Sequence, residues 1–190
     1  MATEKIEIAP YDPAWAVAFE SERLQLAVHL EHFQARVEHI GSTAVEGLGA
    51  KPIIDILVGI EKEELFGSVV NPLLDCGYCY YSCYEKKMPE RLFFARLTKL
   101  QRQVFEDPGQ LPPRDQFPPT HHLHVVAYGS SSWKRHLAFR DYLRTHSMAR
   151  DAYYRLKVKL AKGTWESGND YADAKTGFIR GIERLIELTG

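Results

Sequence analysis

The feature that most constrains this 190-residue chain is an apolar run that contains a single acid. Residues 53–58 read Ile-Ile-Asp-Ile-Leu-Val, and a continuous apolar run of this length is typical of a buried strand. A carboxylate there is costly unless it is hydrogen-bonded, paired or bound to a metal. Strand alternation puts Asp55 on the same face as Ile53 and Leu57. We therefore expect Asp55 in a cleft or at an open edge of a sheet, with an ion pair to Lys51 as the structural alternative.

The remaining patterns predict an α+β chain. Short β-branched or apolar runs indicate strands, and apolar residues at 3.6-residue spacing indicate helices. Strands are predicted at residues 36–40, 53–58, 78–84, 91–98 and 120–128, and helices at 12–32, 61–75, 132–146, 149–162 and 170–188. We expect a single domain over residues 1–190, in which a small mixed β-sheet is backed by helices and the C-terminal part is helical. The proline-rich residues 99–119 are predicted to be a mobile surface insertion.

Composition narrows the classes of function. The sequence has no apolar run of about 18 residues and no apolar secretory signal near its start, so the expected location is cytoplasmic, without a membrane. A net charge of −1 and the lack of a helix-turn-helix pattern argue against sequence-specific DNA binding. Residues 133–162 carry nine basic and two acidic side chains, which form either a site for a phosphorylated ligand or a solvated face. Cys76, Cys79 and Cys83 are interpreted as packing residues.

A turn and a histidine pair could carry chemistry. Gly41 and Ser42 follow a predicted strand, where glycine lets the backbone approach a phosphate and the hydroxyl can bind it; an ordinary turn is the alternative. His122 and His124 are two residues apart on a predicted strand, so their side chains share a face. There they could bind a divalent metal or act in acid–base chemistry. Alternatively, they could be packing residues whose hydrogen bonds are made within the protein.

Basic residues elsewhere could contact the same ligand. His136, Arg140 and Arg144 recur every four residues in a predicted helix and form one stripe, which is either a phosphate clamp or an exposed face. Arg91 stands at the start of a predicted strand and could bind an anion, and Lys175 lies on one face of the last predicted helix.

Five blocks of sequence together resemble the GrpB-like protein family. They cover residues 10–15, 38–48, 50–56, 121–126 and 136–144. The resemblance implies the nucleotidyltransferase-superfamily fold. In that fold a Gly-Ser turn and an Asp-x-Asp pair together hold Mg²⁺ and a nucleoside triphosphate. Gly41-Ser42 and Asp55 match that pattern. Ile53 and Leu57 occupy the positions beside Asp55, so the second carboxylate of the pair is absent.

Two hypotheses follow from this resemblance. The first is a metal-dependent nucleotidyltransferase-like enzyme that acts on a nucleotide or another phosphorylated substrate. Its catalytic and metal-binding residues would be Asp55, His122 and His124, with Glu38 as a further ligand of Mg²⁺, Mn²⁺ or Zn²⁺. Its phosphate- and substrate-binding residues would be Gly41, Ser42, Thr43, Lys51, Arg91, Arg140, Arg144, Lys157 and Lys175. The second hypothesis, motivated by the missing carboxylate, is a nucleotide- or RNA-binding module that has lost catalysis.

Overall fold

The structure is a computed structural model that describes residues 5–189. Its helices are α1 (Ala14–His29), α2 (Phe66–Asp75), α3 (Ser131–Thr145), α4 (Ser147–Ala161), α5 (Gly168–Asp173) and α6 (Thr176–Thr189). Its strands are β1 (Arg36–Ile40), β2 (Ile54–Ile60), β3 (Cys79–Tyr80), β4 (Leu92–Leu97) and β5 (Pro119–Ala127). The predicted α+β class, with a mixed sheet, helices that back it and a helical C-terminal part, is confirmed. No helix within the described residues is long and apolar enough to cross a membrane.

The sheet brings together residues that are far apart in sequence. Its strand order is β1-β2-β5-β4-β3, with β2 and β5 parallel and the other pairs antiparallel. Ile40 of β1 lies opposite Asp55 of β2, and Asp55 lies opposite His122 of β5. Asp55 and His122 are therefore cross-strand neighbours on one face, although 67 positions separate them in the chain.

The two faces of the sheet have different coverings. The first face carries Ile56 and Leu123, which pack in the main core with side chains of α1 and α2. The second face carries Asp55 and His122. There Trp133 of α3 covers Gly59, where an added Cβ would lie 2.6 Å from the indole ring. The polar pair thus lies on the face that the C-terminal helices only partly cover.

Residues 99–119 cover the other half of that second face. Phe105 is buried, and Leu111 and Phe117 pack partly buried against the sheet beside Leu97. The backbone also joins the sheet edge, since Phe105 N–H donates to Tyr80 O at 2.8 Å. Most of residues 99–119 are nevertheless exposed, so the segment lies on the surface while these apolar residues close part of the core, and the insertion stays a prediction. The mobility of the segment stays a prediction.

Two other predicted elements differ. The strand predicted at 78–84 is observed only at Cys79–Tyr80, and Ser82–Tyr84 forms a 3₁₀ turn. On the edge away from β4, Tyr80 pairs with residues 103–105. The helix predicted at 170–188 is divided into α5 and α6, with Lys175 at the junction. Local apolar spacing detects helical segments but not a break of this kind.

A buried ion pair fastens α1 to the sheet. An Arg96 Nη atom donates to Glu22 Oε1 at 2.7 Å, and the Tyr78 hydroxyl donates to the same oxygen at 3.0 Å. Glu22 is only 4% exposed. The cysteines fit their interpretation as packing residues: Cys76 and Cys79 are buried, and burial raises the pKa of both thiols.

Candidate functional site

A pocket of about 70 Å³ opens where the turn after β1 meets the start of β2 and β5. We call it the lysine pocket. Its walls come from the N-terminal segment, the 41–53 connection, β2, β5, α4 and the α5–α6 region. It is lined by Ile8, Ser42, Thr43, Ala50, Lys51, Ile53, Asp55, His122, Lys157, Tyr171 and Lys175. Seven of the residues singled out in the sequence therefore line one pocket: Ser42, Thr43, Lys51, Asp55, His122, Lys157 and Lys175.

Asp55 and His122 form a hydrogen-bonded pair in the pocket wall. Asp55 Oδ1 lies 3.1 Å from His122 Nδ1. The Asp55 side chain is 30% exposed and that of His122 is 16% exposed, so the pair faces the pocket without being sealed in the core. An aspartate that is hydrogen-bonded to one imidazole nitrogen fixes the orientation of the ring, and with it the position of the second ring nitrogen.

Gly41 allows the turn to pass directly over Asp55. Its φ of +70° and ψ of −168° fall in a region that is essentially restricted to glycine. A Cβ on Gly41 would lie 2.3 Å from Asp55 Oδ2, which no packed structure tolerates. Glycine is therefore required twice at this position, by the backbone angle and by the close approach.

The buried side chain of His39 contacts the turn that follows β1. His39 Nε2 lies 3.0 Å from Thr43 Oγ1, and the Thr43 hydroxyl donates to Ile53 O at 3.4 Å. The ring of His39 stacks on Phe19 with a centroid separation of 4.6 Å, and burial lowers the pKa of His39 to about 4. The neutral ring can then donate to Thr43 and lock the turn. Sequence reasoning missed His39, and its place beside the Gly-Ser turn was the signal available.

Two lysines with lowered pKa values close the pocket. Lys157 of α4 is 2% exposed, and its Nζ donates to Gly49 O at 2.5 Å. Burial, together with the nearby positive charge of Lys175, lowers the pKa of Lys157 to about 7. Burial likewise lowers the pKa of Lys175 to about 8. Both cations therefore sit in an environment that penalises positive charge, which is where a bound anion has most effect.

Tyr171 supplies an aromatic wall that the sequence did not mark as part of the site. Lys175 Nζ lies 4.4 Å and Lys51 Nζ 5.1 Å from the centroid of its ring. Such cation–π contacts hold the ammonium groups at the pocket. The buried Tyr171 hydroxyl has no hydrogen-bond partner within residues 5–189.

The other predicted ligand residues lie outside the lysine pocket. His124 shares the face of His122, but it packs against Phe93 and His136, with ring centroids 5.2 and 6.1 Å away. Burial lowers its pKa well below the usual value. Asp55 and His122 therefore lie in one pocket, as predicted, but His124 does not join them. It lies two residues further along β5, where Phe93 and His136 cover it.

The predicted acid and arginines are engaged in contacts within the protein. Glu38 Oε2 accepts from an Arg140 Nη atom at 2.7 Å, and Arg140 also binds Asp141 and His39 O. Two guanidinium nitrogens of Arg144 donate to Ala44 O, at 3.0 and 2.8 Å. Arg144 therefore supports the 41–45 turn, Arg140 supports the end of β1, and Glu38 is the ion-pair partner of Arg140.

Arg91 also lies away from the pocket. An Nη atom of its guanidinium lies 2.7 Å from Met88 Sδ. Burial lowers its pKa, and its charge acts on His124 and His136 instead of on the lysine pocket.

The residues of the lysine pocket do not fit the metal site that the resemblance implies. Asp55 and His122 are its metal-ligating side chains, and they already bond to each other. Across residues 5–189, no three His, Cys, Asp or Glu side chains are grouped closely enough to hold a metal ion. Lys157 and Lys175 stand beside the single carboxylate, and the Asp55 charge opposes the burial that lowers their pKa values. The carboxylate therefore balances ammonium groups.

Comparison with known proteins gives the family. The sequence profile described as GrpB protein matches residues 5–184. A UPF0157 protein of Halalkalibacterium halodurans is 34% identical over 184 residues, which cover 97% of this chain and 84% of that protein. The crystal structure of the conserved protein GrpB from Enterococcus faecalis is similar with a TM-score of 0.73 and 32% identity, covering 95% of this chain and 96% of that one.

A second solved structure is more distant. The Cid1 poly(U) polymerase is similar with a TM-score of 0.45 and 14% identity, over 80% of this chain and 43% of that one. A likeness of this strength carries no argument about function. The profile match and the relatives above 30% identity do not depend on it, and this chain therefore belongs to the GrpB protein family.

Proposed function

We propose that this protein binds a nucleotide or another small phosphorylated ligand in the lysine pocket. The observation that carries the proposal is the convergence of Lys157 and Lys175 beside the Ser42 hydroxyl in a pocket with one carboxylate. Removing ammonium groups from water is costly, and Lys157 meets a neutral carbonyl oxygen instead of an acid. A phosphate group would offset that cost and accept hydrogen bonds from both lysines and the serine.

The shape of the site favours a small ligand over RNA. The lysines close round a pocket of about 70 Å³ instead of following an open basic surface. A strand of RNA would need a track of cationic and aromatic side chains along several nucleotides. Arg140 and Arg144, which the sequence predicted as a phosphate clamp, bind acids and carbonyl oxygens within the protein.

Isothermal titration with tripolyphosphate and with ATP tests the proposal. We expect binding that persists in EDTA and weakens steeply as salt is raised, because contacts to phosphate dominate. Lys175→Gln should weaken both ligands at least tenfold. Lys159→Gln, at an exposed position of α4, is the matched control and should leave both affinities unchanged. Absence of binding, or equal effects of the two substitutions, would rule the proposal out.

The Asp55–His122 hydrogen bond favours nucleotidyl transfer as a second candidate. A carboxylate that orients an imidazole is an arrangement used in general acid–base catalysis. An assay of nucleotide turnover, run with and without Mg²⁺ or Mn²⁺, separates the two functions. Turnover that is lost in Asp55→Asn would support catalysis. Binding without turnover under every condition would leave a binding module.

A further inference from the structure

A wide groove leads away from the lysine pocket. It has a volume of about 800 Å³ and runs between residues 111–119 and residues 166–169. Lys51 and Ile53 line both the groove and the lysine pocket, so the two spaces are adjacent. Groove volumes of this order are typical of sites for whole small molecules, whereas the lysine pocket alone has room for a phosphate group.

A smaller cavity under residues 111–119 is mainly aromatic and apolar. This aromatic cavity has a volume of about 50 Å³. Its lining includes the rings of Tyr81, Tyr84, Phe93 and Phe117. His122 also lines it, and the same residue lines the lysine pocket. His122 is therefore the partition between a cationic space and an aromatic one.

The mouth of the aromatic cavity is where it meets the groove. The residues that line both spaces are Tyr84, Leu111, Pro112, Arg114 and Pro119. The Tyr84 ring is part of an aromatic group, 5.7 Å from Tyr81 and 5.8 Å from Phe93 between centroids. A flat tyrosine ring, a guanidinium and proline rings form the kind of surface on which a nucleobase stacks.

We propose that this mouth is the nucleobase subsite of the ligand whose phosphates occupy the lysine pocket. The proposal rests on the proposed function and adds the class of ligand, a nucleotide instead of a bare phosphate ester. Its support is that the groove borders the anion-binding lysine pocket through Lys51 and Ile53 and the aromatic cavity through Tyr84 and Arg114. A nucleotide has the same two ends, a charged phosphate chain and a flat aromatic base.

The test compares ATP and UTP with inorganic tripolyphosphate by isothermal titration. Tripolyphosphate carries at least as much negative charge, so any preference for the nucleotides must come from the nucleoside. We expect the wild-type protein to bind ATP at least tenfold more tightly than tripolyphosphate. Tyr84→Leu should reduce that preference to threefold or less and leave the affinity for tripolyphosphate unchanged. Tyr128→Leu, at an exposed tyrosine remote from the cleft lining, is the matched control and should change neither ratio.

A second variant guards against loss of packing. Arg114→Lys keeps the positive charge and removes the flat guanidinium, so it should weaken ATP about threefold without affecting tripolyphosphate. Unchanged tripolyphosphate binding also shows that each variant is folded.

Three outcomes would overturn the subsite. Equal wild-type affinities for ATP and tripolyphosphate would do so and leave the phosphate pocket intact. Tyr84→Leu and Arg114→Lys variants that keep the full nucleotide preference would also do so. Failure of the wild-type protein to bind either ligand would refute the proposed function and the subsite together.

Discussion

Replacement of Gly41 with alanine should destabilise the protein and displace Asp55 from His122. The positive φ of +70° in the turn penalises any side chain, at a cost of about 1–3 kcal/mol. The added Cβ would also lie 2.3 Å from Asp55 Oδ2 and 2.9 Å from Asp55 Cβ. A carboxylate oxygen can rotate away, but the Cβ is fixed to strand β2. The backbone of the turn or the strand must therefore move.

The movement adds to the backbone cost. Separation of Asp55 from His122 removes a hydrogen bond that involves a charged group, which is worth about 1.5–3 kcal/mol and less where the side chain is partly exposed. With the Asp55 side chain 30% exposed, we expect a total loss of about 3 kcal/mol in the free energy of unfolding, measured by urea denaturation.

Gly129 provides the control for the backbone contribution. Its φ is +75°, and a Cβ there would meet no atom within 4 Å. Gly129→Ala should therefore cost only the backbone strain, about 1–2 kcal/mol. The ring ¹⁵N chemical shifts of His122 should change in Gly41→Ala and stay unchanged in Gly129→Ala. Equal losses of stability in the two variants would refute the close approach of Gly41 to Asp55.

Three further predictions concern stability and are tested by urea unfolding. Glu22→Gln should cost about 2–3 kcal/mol because it removes the buried carboxylate that pairs with the partly buried Arg96. Glu20→Gln breaks an exposed pair and should cost less than about 1 kcal/mol, and similar losses in the two variants would contradict a structural role for Glu22. Burial lowers the pKa of Lys157 to about 7, so the unfolded chain binds more protons above that pH and the free energy of unfolding should rise from pH 7 towards pH 10. Lys157→Met should reduce this slope by about 1 kcal/mol per pH unit, and an unchanged slope would argue against the low pKa. Gly67→Ala should stabilise α2 by about 0.5–1 kcal/mol, since a Cβ there meets no atom within 4 Å; a loss of stability would show that this position is not open.

The sequence predicted most of the regular structure because periodicity is a local property. The strand at 36–40 has the observed bounds, and the strand predicted at 53–58 is observed at Ile54–Ile60. The sequence also marked Asp55 and His122 as candidate site residues, since a carboxylate in an apolar strand needs a partner. It could not supply the partner, because pairing of β2 with β5 depends on how the sheet closes.

Errors arose where distant segments compete for the same backbone or side chain. The strand predicted to run to residue 84 ends at Tyr80, where residues 103–105 join the sheet edge. Arg140, which matches a phosphate clamp by helical spacing, is bound by Glu38 102 positions away. His124 has the right strand parity, but Phe93 and His136 cover it. Parity and spacing give the face of an element and do not give what packs on that face.

The sequence by itself determined the order of strands and helices, the carboxylate on a buried strand and the glycine turn that precedes it. Only the tertiary structure decided which cations surround that carboxylate. Lys157 and Lys175 reach the pocket from α4 and from the break between α5 and α6. The physical reason is that hydrophobic patterning acts over a few neighbouring residues, whereas burial and electrostatics depend on three-dimensional proximity.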